Sequence, residues 1–237
     1  MNKLSISAAV AAVVALAATA AVAQPVGHLD VAYTDSSELE THAFSGGGAV
    51  VLPVGPVNIE VDASGATTHF KGFGSEKSFN ATGHVFFRND QFAIGAFASA
   101  ADEGLYAWGG EGAFYLNRVT LSAQVGQARD ESEGGFGTLG TAAGVGAKVF
   151  VTEDFALGAN YVTVNPKGPG GSTDTWGLNG EVRLSGTPIS AFLAYQRSDD
   201  FDVDAWTVGG RWHFGAASLK EQDRKGASMG SGILTSF

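Results

Sequence analysis

From residue 24 to residue 214, apolar and polar side chains alternate with a period of two. That is the spacing of a β-strand showing one face to each side of a sheet. Residues 203–214 carry Trp206, Val208, Gly210, Trp212 and Phe214 on one face and Thr207, Gly209, Arg211 and His213 on the other. Residues 105–116 repeat the scheme, with Tyr106, Trp108, Gly110, Gly112, Phe114 and Leu116 opposite Ala107, Gly109, Glu111, Ala113 and Tyr115. Trp176, Leu178, Gly180, Val182 and Leu184 do the same against Asn179, Glu181 and Arg183. The pattern predicts twelve strands, near 26–35, 41–53, 56–68, 77–88, 91–100, 105–117, 119–129, 137–151, 155–164, 174–185, 189–198 and 203–214. Ten is the alternative if 26–35 or 91–100 fails to pair. Tight turns at 53–56, 89–91, 117–119, 152–154 and 186–188 alternate with longer polar loops at 34–41, 68–77, 100–104, 128–137, 164–174 and 197–204. Helical spacing is scarce, because glycine interrupts nearly every candidate window.

A soluble sandwich or barrel would alternate too, but its apolar face would point into a core. Here the face opposite the apolar one holds charges on many strands, and the apolar face carries aromatics near strand ends. That arrangement is an all-β, closed antiparallel transmembrane barrel, apolar outside and polar or small inside. The chain thus resembles the bacterial outer-membrane β-barrel proteins of the porin-like and OmpA-like superfamily across nearly all of 24–214. Its most specific motif is Thr207-Val208-Gly209-Gly210-Arg211-Trp212-His213-Phe214. This matches the family's C-terminal signal of a polar residue, a glycine and two aromatics. The resemblance implies that Thr207, Gly209, Trp212 and Phe214 are read by the barrel assembly machinery. It also implies contact with outer-membrane lipid and lipopolysaccharide, short periplasmic turns and long external loops. In most members the final aromatic ends the chain, whereas here 215–237 follow. Phe237 is terminal but lacks the second aromatic before it.

Residues 1–23 hold Lys3, a stretch rich in Ala and Val, and Ala21-Val22-Ala23 before Gln24. This is the layout of a secretory signal peptide with its cleavage site; a membrane anchor is the alternative, though the stretch is short for one. The expected organisation is a cleaved signal peptide at 1–23, a barrel at 24–214 and a flexible periplasmic tail at 215–237.

Composition sharpens this picture at two points. The 34 glycines among 237 residues show no collagen period and no linker run, so they belong inside the strands. A net charge of −10 argues against a basic face for nucleic acid. Strand parity sends Asp30, Glu60, Asp62, Glu111 and Glu181 to the lumen with Arg88, Lys148, Arg183 and Arg211, and with His28, His84 and His213 alongside. These charges either line a water-filled pore or form ion pairs plugging a narrow barrel. The inward glycines Gly95, Gly140, Gly144, Gly146, Gly158, Gly177 and Gly209 leave space that favours the pore. The external loops are strongly acidic, with Asp199, Asp200, Asp202 and Asp204 at one mouth. The expected function is passive passage of small hydrophilic solutes with a mild preference for cations. A non-conducting structural barrel is the alternative.

An outer-membrane lipid-modifying enzyme is a third possibility. If Leu52 pairs with Val57, Glu40 lies opposite His69 and His42 opposite Thr67 on the lipid side of the rim, an acid beside a histidine. The set offers Thr67 where such an enzyme needs a serine, and a register shift would disperse it. No nucleophile elbow, metalloprotease motif or cysteine cluster occurs, so no catalytic residue, metal or cofactor is expected. Asp200-Phe201-Asp202-Val203-Asp204 has the opening spacing of a calcium loop but lacks the glycine and distal glutamate that complete one. Solute identity and oligomeric state are not legible in the pattern.

Overall fold

The computed structural model describes residues 25–131, 137–167, 171–200 and 202–226. The expected signal peptide at 1–23 and residues 227–237 lie outside the described residues. Twelve strands form a single closed antiparallel barrel: β1 (Val26–Ser36), β2 (Thr41–Val54), β3 (Val57–Phe70), β4 (Gly74–Arg88), β5 (Phe92–Ala101), β6 (Leu105–Tyr115), β7 (Val119–Asp130), β8 (Gly137–Thr152), β9 (Phe155–Pro166), β10 (Thr173–Arg183), β11 (Ile189–Ser198) and β12 (Val203–Phe214). Each strand pairs with its sequence neighbours, and β12 closes on β1 through pairs such as Asp30↔Arg211 and Thr34↔Thr207. The ten-strand alternative is ruled out, because β1 and β5 each pair along both edges. Closure matters physically: in lipid only a sheet without edges satisfies every backbone N–H and C=O.

The strands run further toward the loop end than the sequence pattern suggests. β3 continues through Thr67, Thr68 and His69 to Phe70, and β4 begins at Gly74, leaving only 71–73 as loop. The link from β5 to β6 is one 3₁₀ turn, Asp102–Gly104. His69 and Phe70, with Ser75 and Gly74 facing them, fall where polarity suggests a loop but instead extend the ladder through the pairs His69↔Ser75 and Phe70↔Gly74. Long external loops are therefore not present at these two hairpins.

The faces divide as parity demands. Val31, Ile94, Val125, Val145, Leu178, Leu193 and Val208 point outward and are exposed. Aromatics gather at both ends of that apolar surface. Trp176, Tyr195 and Trp206 pack in a row at the loop end, with centroids 5.4 and 4.7 Å apart. Trp212 and Phe214 meet at 5.5 Å at the turn end, and Phe87 and Phe92 at 5.9 Å. Trp206 and Phe214 are eight positions apart on one strand, about 26 Å along it at roughly 3.3 Å per residue, or about 20 Å of height at a tilt of roughly 40°, close to the apolar band of a membrane.

Inward glycines do not leave the open space expected of them. A Cβ on Gly209 would lie 2.3 Å from the Phe192 ring, and one on Gly95 would lie 2.4 Å from Phe86 Cβ. Gly158 and Gly177 similarly accommodate Asn179 and Asn160. The space given up by each glycine is filled by a larger side chain on the adjoining strand. Phe86 packs with Ala49, Val51, Ala93 and Tyr115, and Phe97 with Ala142, Val162 and Val164, so apolar clusters occupy part of the interior.

The segment after β12 also departs from expectation. Gly215 adopts φ +78°, a conformation open to glycine, and a Cβ there would strike the Pro25 carbonyl at 2.2 Å. The chain turns back at this point and forms a short helix, α1 (Leu219–Lys225), whose Leu219, Gln222 and Asp223 are buried. Residues 215–226 are thus a folded part of the barrel rather than a flexible tail. The reason is an i, i+3, i+4 stripe that fits the barrel mouth.

Candidate functional site

The nine lumen charges expected from sequence all face inward and fall into three groups. The first is carried by β3, β4 and β6. His84, whose side chain is fully buried, holds Asp62 Oδ2 at 2.8 Å through Nε2 and Glu111 Oε1 at 2.7 Å through Nδ1. Glu60 pairs in register with His84 across β3 and β4, and its Oε2 is buried with no hydrogen-bond partner.

The second group joins β1, β10, β11 and β12. Arg211 donates from Nη1 to Glu181 Oε2 at 2.9 Å, and its Nε lies 3.7 Å from Asp30. Asp30 also faces His28 at 3.4 Å. Ser190 donates to Glu181 Oε1 at 2.6 Å and lies 2.9 Å from His213 Nε2. A serine, a histidine and a carboxylate therefore converge, but not in a relay. Serine and acid both sit on Nε2, His213 Nδ1 has no partner, and Ser190 is 1% exposed. A nucleophilic triad needs the acid on the opposite ring nitrogen.

The third group is tied to the C-terminal segment. Lys148 donates to Asp223 Oδ1 at 2.8 Å and Thr120 donates to Asp223 Oδ2 at 2.6 Å. Arg88 donates to the Gly226 carbonyl at 3.0 Å, and Arg183 donates to the Ala216 carbonyl at 3.1 Å. From α1 itself, Arg224 reaches the Leu116 and Val119 carbonyls of a tight turn, and Lys220 reaches Glu153 of another. Leu219 completes the seat by packing on Phe150 and Ala156. Sequence reasoning missed this site, although a signal was present. Ser218-Leu219-Lys220-Glu221 has the capping-box sequence, and Ser218 Oγ accepts the Glu221 N–H. Glu221 in turn accepts the Ala217 N–H and pairs with Lys225, which holds its carboxyl below the usual carboxylate range.

Between these groups lies a lumen cavity of about 270 Å³, lined by Gln124, Gly144, Lys148, Asn160, Asn179 and Asp223 among others. Its walls are amides, small residues and one ion pair, a surface suited to water and small polar solutes.

At the loop end the four expected mouth acids are not equivalent. Arg197 pairs with Asp199 and Asp202, and Asp200 accepts the Asp174 N–H. Asp204 lies within β12 on the outward face of Trp206 and accepts the Tyr195 hydroxyl at 3.1 Å, so it does not line the mouth. The Glu40–His42–Thr67–His69 set does not assemble as expected either. The β2–β3 hairpin closes on Val54↔Val57, two residues tighter than the register that set requires. His42 therefore stacks on His69 at 5.0 Å, Thr67 faces Phe44, and Glu40 pairs with Lys71 at 2.6 Å. The residues expected to form the assembly signal are ordered within β12. Thr207 and Gly209 face inward, Thr207 sharing a 2.8 Å hydrogen bond with Thr34, while Trp212 and Phe214 face out.

No protein-family model matches the sequence, and no curated protein matches it. Solved structures do match the fold. A KdgM porin in complex with disordered oligogalacturonate gives a TM-score of 0.60 at 8% identity, covering 79% of this chain and 99% of that one. A NanC porin gives 0.59 at 10% identity, covering 78% and 98%. An outer-membrane channel from Pseudomonas putida F1 gives 0.53 at 10% identity, covering 80% and 95%. The fold is that of the bacterial outer-membrane β-barrels.

Proposed function

We propose that this chain is an outer-membrane, porin-like channel for small hydrophilic solutes, narrowed at its tight-turn end by its own C-terminal segment. The observation that carries the reading is the sidedness of the closed barrel: an apolar outer surface with aromatics at both ends surrounds an interior of charges, amides and a polar cavity. A shell of this kind exchanges its hydrophobic surface for lipid and keeps a polar interior for water. The tight turns and α1 face the periplasm, and the acidic rim containing Asp199, Asp200 and Asp202 faces outward. That rim concentrates cations within about 8 Å at physiological salt, whereas Lys148, Arg88, Arg183 and Arg211 are engaged by groups of this chain. A mild cation preference that fades as salt rises follows. One similar porin was solved in complex with disordered oligogalacturonate; here the inward cations are already engaged, which favours neutral solutes and cations.

A second reading, a non-conducting structural barrel, is favoured by the burial of Leu219 and Asp223 in the turn-end mouth. Two measurements separate them. Release of small neutral sugars from vesicles containing the reconstituted full chain supports the channel, and its absence supports the structural barrel. Reversal potentials across a KCl gradient then test selectivity: anion preference would show that the inward arginines set the field, not the rim.

A further inference from the structure

We propose that Glu60, Asp62 and His84 form a binding site for one divalent transition-metal ion inside the barrel, with Glu111 orienting His84 behind it. One ligand atom from each of Glu60, Asp62 and His84 lies within 4.8 Å of the others. They reach one point because Glu60 and His84 are directly paired across β3 and β4, and Asp62 is the next inward residue on β3. All three sit on strands of a closed sheet, so their positions are fixed by the ladder.

Two observations point to a cation rather than to an ion-pair cluster alone. First, three carboxylates surround a single imidazole. His84 reaches only Glu111 and Asp62, the Arg88 charge acts on Glu60 without a hydrogen bond to its Oε2, and Glu60 Oε2 and Glu111 Oε2 are both buried without a hydrogen-bond partner. Glu60 itself is 1% exposed, so its unpartnered oxygen is not served by solvent. A buried carboxylate oxygen in this condition is costly unless a cation meets it. Second, Glu111 accepts from His84 Nδ1 at 2.7 Å, which aims Nε2 at Asp62 and Glu60. A carboxylate on one ring nitrogen that orients the other toward a metal is the usual support of a histidine ligand.

The donor set selects the ion. Two carboxylates and one imidazole suit Zn²⁺ and its first-row neighbours, while calcium and magnesium favour oxygen ligands only. Ligand atoms around Zn²⁺ at about 2.0–2.1 Å stand roughly 3.3 Å apart in a tetrahedron. The Asp62–His84 pair at 2.8 Å is already near that spacing, so side-chain rotation of Glu60 closes the site. Asp62, with 16% of its side chain exposed, is the side of the site open to the lumen and admits a water to the fourth position. On binding, the proton between His84 Nε2 and Asp62 passes to lumen water, and the metal ion takes its place between them.

The test is Zn²⁺ titration of the refolded full chain in detergent micelles, against a chromophoric chelator. The exposed His42–His69 pair is first removed as His42→Ala with His69→Ala, so that only interior sites are counted. The expected result is one equivalent bound and a raised thermal midpoint. Glu60→Gln, Asp62→Asn and His84→Asn should each weaken binding at least tenfold. Glu111→Gln, which touches no metal, should weaken it by about tenfold. His28→Ala should change nothing. Each variant is confirmed as folded by its strand circular dichroism before titration, and the conservative amide replacements keep the packing. No binding to the background protein would overturn the proposal, as would binding that survives both Glu60→Gln and His84→Asn.

Discussion

Single side chains decide whether the interior of this barrel is filled. Gly209 is the sharpest case: a methyl group there would meet the Phe192 ring at 2.3 Å and the Val31 carbonyl at 2.6 Å. Gly209→Ala should lower unfolding stability in detergent by about 1–3 kcal/mol, read from urea midpoints. Gly83→Ala has no atom within 4 Å of the new methyl and should cost nothing or stabilise by about 0.5 kcal/mol. Asp223 holds both Lys148 and Thr120 while 4% exposed. Asp223→Ala leaves both without that partner and should cost about 1–3 kcal/mol, with faster hydrogen exchange confined to α1. Parity along the sequence is enough to send all nine charges inward, because a period of two leaves no other face. Their partners are not legible there, since His84 meets Glu111 across β5 and Lys148 meets Asp223 from a segment far along the chain.

Among the elements, strands and the helix were legible to different degrees for different physical reasons. Strand positions follow from alternation, but their ends do not, as His69 and Phe70 show by extending β3 past residue 68, where polarity suggests a loop. Register at the β2–β3 hairpin depends on how tightly the turn closes, which alternation leaves free by two residues. Helix α1 is too short to hold itself in water and exists because the barrel mouth receives its buried stripe. Its capping-box sequence was visible in Ser218 and Glu221, yet a seat for α1 appears only once the strands are closed. The Glu221 carboxylate, with its pKa held below the usual range, supports α1 above ordinary carboxylate pKa values near 4.5 and loses that contribution as pH falls below them. Proteolysis of the C-terminal segment should therefore accelerate as pH falls below about 4.5, and Glu221→Gln should flatten that pH dependence while speeding cleavage already at neutral pH. At the same scale, Phe214→Ala should impair membrane insertion while deletion of 215–237 should not. The reverse result would move the end of the barrel into the C-terminal segment.

For the molecule as a whole, the decisive property is which surface meets lipid. Leu193 faces outward at mid-strand, paired with Val208 and Gly180. Leu193→Arg should cost about 2–4 kcal/mol in lipid vesicles, whereas Gln124→Arg, which enters the lumen cavity, should cost under about 1 kcal/mol. Three inward ion groups, two apolar clusters and α1 narrow the interior, and a polar cavity of about 270 Å³ remains between them. The central proposal is a membrane channel whose interior is narrowed by its own C-terminal segment. Single-channel recording in planar bilayers of the full chain beside the 215–237 deletion tests it most directly. The expected result is a small, ohmic current from the full chain and a clearly larger one from the deletion, with a weaker cation preference because Lys148, Arg88 and Arg183 lose their partners in the C-terminal segment. Silence from both proteins, once insertion is verified, would contradict a channel, and equal currents would contradict the narrowing role of the C-terminal segment.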